Sequence, residues 1–241
     1  MKNIYIINNG LKLSGTIFYP IGEKDKYPAA LFVHGLTSDR ERTFQYAEAL
    51  AELGFVCLSL DLRGHGTSEG NINHFSNKDF LSDVVAAYDY LSEVEKVDSK
   101  NISAIGSSFG AYLIILLSSK RKIKNLSLRV PANYPDDAFE KPTVLNGGDN
   151  SDVMKWRNQP KGPKESHSLE ALNKFDGSVL IIESGKDDRV PRQTILNYIN
   201  AVKDKSKLKH VLMEDAPHSL KEGRFRNEVE RVLTEWFKNK L

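Results

Sequence analysis

The sequence predicts an α/β fold: a mostly parallel, eight-stranded sheet with helices on both faces, opened by an antiparallel hairpin. Three observations predict it. Short apolar runs alternate with amphipathic helical stretches along most of the 241 residues, and strands separated by helices pair in parallel through crossovers. The first two runs alternate apolar and polar residues and meet at Asn9-Gly10, a strong two-residue hairpin signal. The later runs are more continuously apolar, as strands covered on both faces must be.

In chain order, strands are expected at 3–8 (NIYIIN), 11–19 (LKLSGTIFY), 29–33 (AALFV) and 55–60 (FVCLSL), then at 101–106 (NISAIG), 123–130 (IKNLSLRV), 178–184 (SVLIIES) and 209–214 (KHVLME). Between them, 42–54 carries an apolar helical face and ends in Gly54, a helix-stopping residue. The same periodicity recurs at 80–94, in GAYLIILLSS, in QTILNYINAVK and in the C-terminal RNEVERVLTEWFKN. Residues 131–167 break the rhythm with Pro, Gly, Asn and charge. Only nine of these 37 residues are apolar or aromatic, too few for a separate core. The expected organisation is therefore one domain, 1–241, with a short polar cap inserted at about 131–167.

Composition narrows the partners. Lys and Arg number 34 against 32 for Asp and Glu, a net charge of +2, which offers no electrostatic argument for nucleic acid or an anionic membrane. No run approaches the roughly 20 apolar residues of a membrane span. The N-terminal stretch lacks the apolar core and small-residue cleavage site of a secretory signal, so a cytoplasmic location is expected. Cys57 is the single cysteine and sits in an apolar run, where it reads as a small buried hydrophobe.

Chemistry concentrates in AIGSSFGAYL, residues 104–113. Gly106-Ser107-Ser108-Phe109-Gly110 is a G-x-S-x-G sequence between a predicted strand and a predicted helix, the setting in which this turn exposes a nucleophilic serine. The tight turn strains its central residue, and glycine two before and two after leaves room for chain passing close by. Only Ser108 has glycine at both places. A serine hydroxyl needs a base, and the base needs an orienting carboxylate. Asp187 and Asp188 follow the predicted strand at 178–184, and His218 follows the last one. Loops at the C-terminal ends of parallel strands converge on one edge of the sheet.

These motifs together resemble the α/β-hydrolase family over nearly the whole chain. VHGLTSD (33–39) looks like the family's HG-x loop after the third strand, and DLRGHGTSEG (61–70) looks like its D-x-R-G-x-G-x-S loop after the fourth. The resemblance implies an α/β-hydrolase fold with Ser108 as nucleophile, Asp187 as acid and His218 as base. It also implies an oxyanion hole made by the backbone N–H groups of Leu36 and Phe109. For the acid, the D-x-x-V-P spacing fits Asp187-Asp188-Arg189-Val190-Pro191, whereas anchoring on Gly185 selects Asp188. His34, His65 and Arg63 are expected to brace loops. No metal or organic cofactor is implied.

The implied activity is hydrolysis of carboxylic esters through an acyl-enzyme, on a small-molecule ester substrate. A short polar cap with Tyr134, Phe139, Met154 and Trp156 scattered through it favours soluble, short acyl or aryl acyl esters, as in small cinnamoyl and feruloyl esterases. Peptidase or amidase action and thioester hydrolysis use the same triad. A non-catalytic binder on the same fold is the alternative of another class.

Overall fold

In the computed structural model, which describes residues 1–143 and 151–240, Asn9 and Gly10 turn the chain with φ of 49° and 79°. Positive φ at both central positions matches the right-handed twist of the flanking strands. Those strands are β1 (Lys2–Asn8) and β2 (Leu11–Phe18), paired antiparallel from Lys2↔Ile17 to Asn8↔Leu11. Ile4 and Ile6 face the core while Tyr5 and Ile7 face solvent, so the alternation read from sequence is the alternation of burial.

Six more strands complete the sheet: β3 (Tyr27–Val33), β4 (Val56–Leu60), β5 (Val97–Ser107), β6 (Asn125–Arg129), β7 (Ser178–Lys186) and β8 (Leu208–Pro217). Their order is β1-β2-β4-β3-β5-β6-β7-β8. The β1–β2 and β2–β4 pairs are antiparallel and every other pair is parallel. The chain leaves β3 toward one side of the sheet and returns to its other side with β5. Loops leaving the C-terminal ends of β3 and β5 therefore emerge side by side, with Val33 in register with Gly106.

Helices cover both faces. One face buries α1 (Phe44–Glu52) and the C-terminal helix, whose Phe225, Val229, Leu233 and Phe237 meet Ala30, Phe32 and Ile105 of the sheet. The other buries α2 (Asn77–Glu93) and α3 (Phe109–Leu117) against Leu31, Val33 and Ala104. Then come α4 (Ser151–Arg157), α5 (His167–Lys174), α6 (Arg192–Ala201) and α7, the C-terminal helix (Gly223–Lys238). Among the described residues, no helix is long and apolar enough to cross a membrane. Cys57 is fully buried, and burial pushes its thiol well up.

Several elements depart from the expected boundaries, β5 beginning at Val97 and β8 running to Pro217 among them. The α2 helix starts at Asn77, ahead of the apolar periodicity, because Ser76 and Asp79 satisfy each other's backbone N–H groups in a capping box. The α4 helix lies in the segment read as an irregular cap, and α5 is likewise absent from the expected elements. Ser166 caps it by accepting from the Leu169 N–H, and its few apolar residues, Leu169 and Leu172, are buried. The expected cap at 131–167 is partly core: Tyr134 is buried, with its ring 5.6 Å from that of Phe109 and 4.9 Å from that of Tyr112. Residues 144–150 of that segment lie outside the described residues.

One buried charge pair braces this architecture. Arg63, after β4, donates to the Asp83 carboxylate of α2 at 2.7 Å, and the two are 3% and 0% exposed. Removing Asp83 leaves the buried Arg63 guanidinium with only the longer, 3.5 Å contact to the partly exposed Asp79. Asp83→Ala should therefore lose about 3–5 kcal/mol of unfolding free energy in urea titration, far more than an exposed pair such as Lys78–Glu140.

Candidate active site

Ser108 stands between β5 and α3, at the helix N-cap, with φ 54° and ψ −112°, a conformation that costs a non-glycine residue about 1–3 kcal/mol. The glycines around it are sterically required. A Cβ on Gly106 would lie 2.6 Å from the Gly110 carbonyl oxygen, and one on Gly110 would lie 2.2 Å from that of Val33. The turn is tied down by hydrogen bonds, with the Ser108 N–H donating to the Arg129 carbonyl at 2.9 Å and the Ala132 N–H donating to the Ser108 carbonyl at 3.2 Å.

Asp187 lies in the loop after β7 and His218 in the loop after β8. The His218 Nδ1–H donates to the Asp187 carboxylate, at 2.9 Å from Oδ1 and 2.8 Å from Oδ2. Asp187 Oδ1 also accepts the Arg189 and Val190 N–H groups, each at 2.8 Å. Burial pushes the Asp187 carboxyl up. The hydrogen bond and charge of His218 and the two backbone donors outweigh this and hold it below its usual range. Asp188 is exposed and turned to solvent. With Nδ1 committed as donor, Nε2 of His218 is the nitrogen free to accept a proton. Ser108 and His218 line one cavity, although no hydrogen bond joins their side chains among the described residues.

The loop after β3 lies against this turn. A Cβ on Gly35 would sit 3.7 Å from that of Ser108, which brings the neighbouring Leu36 N–H to the same edge as the Phe109 N–H, the first orphan donor of α3. Two histidines shape the loop. His34 Nε2 accepts the Leu62 N–H at 3.1 Å, so Nδ1 carries the proton and donates to the Gly35 carbonyl 2.7 Å away. His65 bridges the carbonyls of Arg63 and Leu36, each 2.9 Å from a ring nitrogen. Asp61, fully buried, accepts the Arg40 N–H at 2.7 Å and the Thr67 N–H at 3.0 Å and pairs with the Arg40 guanidinium. These polar side chains brace loops, as expected for His34 and His65.

The cavity itself has a volume of about 470 Å³. Its floor is apolar, made by Ile105, Ile182, Val229 and Leu233, and His34, Gly35, Leu36, Ser108 and His218 lie along its wall.

A family pattern matches residues 41–241, that of the prolyl oligopeptidase family (Peptidase_S9). The chain belongs to that family. A protein of Mycobacterium tuberculosis described only as uncharacterized is 33% identical over 123 residues, which are 51% of this chain and 42% of the relative. Acylamino-acid-releasing enzyme 2 of Oryza sativa subsp. japonica is 22% identical across 98% of this chain, matching 33% of its own length. The chain thus spans less than half the length of these curated relatives. Among solved structures, Est1E of Butyrivibrio proteoclasticus with ferulic acid bound superposes with a TM-score of 0.77, at 22% identity and 97% coverage of both chains. Family and fold together make this chain an α/β hydrolase.

Two arginines at the site were not singled out in the sequence. Arg129 ends β6, donating from Nε to Ser107 Oγ at 2.9 Å and from Nη2 to the His218 carbonyl at 2.8 Å. Arg157, at the end of α4, is 5% exposed and donates to the Asn133 carbonyl. A charge at the C-terminal end of a strand, where the loops of the site converge, is the signal that would have marked Arg129 in IKNLSLRV.

Acid should loosen the loop after β3. Burial, reinforced by the neighbouring His65, pushes the His34 imidazole down from 6.5 to about 4. Between those values the unfolded chain binds more protons than the folded one, so stability falls as pH drops from about 6.5 to about 4, by up to about 3 kcal/mol. Urea midpoints of the wild type across that window should show this slope. His34→Gln, less stable at neutral pH, should show a shallower one.

Proposed function

We propose that this chain is a serine hydrolase that cleaves carboxylic esters through an acyl-enzyme on Ser108. The observation that carries the reading is His218, held 2.8 Å from the Asp187 carboxylate and lining the same cavity as a serine at φ 54°. Asp187 holds the imidazole in the tautomer whose Nε2 is basic. His218 takes the Ser108 proton as Oγ attacks the ester carbonyl, then returns it to the departing alcohol. Water repeats the sequence on the acyl-enzyme. The Leu36 and Phe109 N–H groups receive the oxyanion, a contribution of about 3–4 kcal/mol for a well-placed donor. The hydrogen bond between Ser108 and His218 forms when substrate binds.

A short acyl or aryl acyl group suits the cavity volume and its apolar floor. The similarity of this fold to Est1E, solved with ferulic acid, supports an aryl acyl group in particular. Family membership and the likeness to an acylamino-acid-releasing enzyme favour a second reading, cleavage of an amide or peptide bond by the same three residues.

A p-nitrophenyl ester series from C2 to C16, run beside a peptide-amide panel, separates the two readings. Ester turnover with inert amides is expected, and the reverse result selects the amidase. Ser108→Ala should lower turnover by about 10⁶ and Asp187→Asn by about 10⁴, while Ser107→Ala and Asp188→Asn stay active. Equal or better turnover of C16 relative to C4 removes the short-acyl preference.

A further inference from the structure

The wall of the cavity is charged in one sense. Arg42, Arg129, Arg157, Arg189, Lys221 and Arg226 all line it, and among the described lining residues there is no Asp or Glu. The whole chain has a net charge of only +2, so this concentration is local. None of the six forms an ion pair with a described residue, whereas the buried Arg63 and the nearby Arg40 each have a carboxylate.

Two members of the set are withdrawn from solvent, Arg157 fully and Arg129 in part. Arg157 is 5% exposed and donates from Nε and Nη1 to the carbonyls of Asn133 and Arg189. Arg129 satisfies Nε and Nη2 on Ser107 and the His218 carbonyl, while its Nη1 is shielded and has no partner. Arg226 gives Nη1 to the carbonyls of Leu220 and Lys221. Neutral acceptors orient these guanidinium groups without cancelling their charge. Confining cations in a low-dielectric pocket is unfavourable unless an anion offsets them. Asp187 is close to Arg129 but is engaged by His218.

We propose that the substrate carries a carboxylate in addition to the bond that is cleaved, and that this carboxylate docks against Arg129 and Arg226 beside the Ser108 turn. The inference rests on the hydrolase reading above and adds the charge class of its substrate. The apolar floor accepts a short carbon chain and the arginines accept its charged end. A protonated amine in the same place would face Arg129 and Arg226 as like charges, so amine-bearing substrates are disfavoured.

Paired substrates of matched length test this. Mono-p-nitrophenyl glutarate is compared with p-nitrophenyl pentanoate, which places the charge on the acyl side. 4-Acetoxybenzoate is compared with phenyl acetate, which places it on the leaving side. In at least one pair, wild-type kcat/KM should favour the anionic member by about tenfold or more, the scale of one charge-assisted hydrogen bond. Arg129→Met and Arg226→Gln should bring that ratio close to one, and Arg129→Lys should restore much of it. A merely structural role for Arg129 in holding the His218 loop slows both members equally and leaves the ratio intact, which overturns the assignment. Ratios at or below one in both wild-type pairs overturn it too. If no ester of either charge turns over, the hydrolase reading fails and calorimetry with glutarate decides the anion site separately. Saturable binding lost in Arg226→Gln supports the site, and the absence of saturable binding sinks it.

Discussion

Between the α carbon of Gly110 and the carbonyl oxygens of Val33 and His34 there is no room for a methyl group, because a Cβ there would lie 2.2 and 2.5 Å from them. That closeness presses the first turn of α3 against the end of β3, and much of the site depends on it. The helix is wedged so deeply that all nine of its residues are buried, which fixes the direction in which its N-terminus opens. The loop after β3 then has one place to go, over Ser108, where Gly35 meets it. A side chain at 110 would separate the two strand ends whose adjacency brings the Leu36 and Phe109 amides to one edge.

Charge is handled in two different ways on that edge. In the loops, each buried charge has its opposite: Arg63 with Asp83 and Arg40 with Asp61. Such pairs add little net stability, but each is costly to break, so they set loop position firmly. His34 performs the same service without charge, kept neutral by its burial. Inside the cavity the pairing stops. Guanidinium groups there are oriented by carbonyl and hydroxyl oxygens, which fix geometry and leave the field of the cation in place for whatever enters.

Much of this was legible in the sequence, for identifiable reasons. A parallel strand buried on both faces cannot hide its composition, so β3 to β7 could be read from runs such as AALFV and SVLIIES. The hairpin needs positive φ at two successive residues, and Asn9-Gly10 announces that directly. Ser108 could be told from Ser107 because steric crowding requires glycine at a fixed spacing. Elsewhere the controlling physics was non-local. Whether Asp187 or Asp188 meets His218 depends on how the loop after β7 curls, through the Arg189 and Val190 N–H groups, and both spacings were compatible with the sequence. The α5 helix escaped because two leucines suffice to bury so short an element once Ser166 caps it. Tyr134 sits in a stretch whose neighbours are polar and read as a cap, yet it packs into the aromatic cluster around Phe109. The cationic cavity escaped altogether: its six charges come from segments spread between residues 42 and 226, and only folding gathers them.

The backbone at Ser108 carries a final consequence. Glycine adopts φ 54°, ψ −112° freely, so a chain selected only for stability would drift toward glycine at 108 and shed about 1–3 kcal/mol of strain. Serine at that point is therefore held against the thermodynamic gradient of the fold. Libraries of this protein sorted by thermal resistance alone will tend to discard it, and stabilised descendants will need to be screened for chemistry as well as for survival.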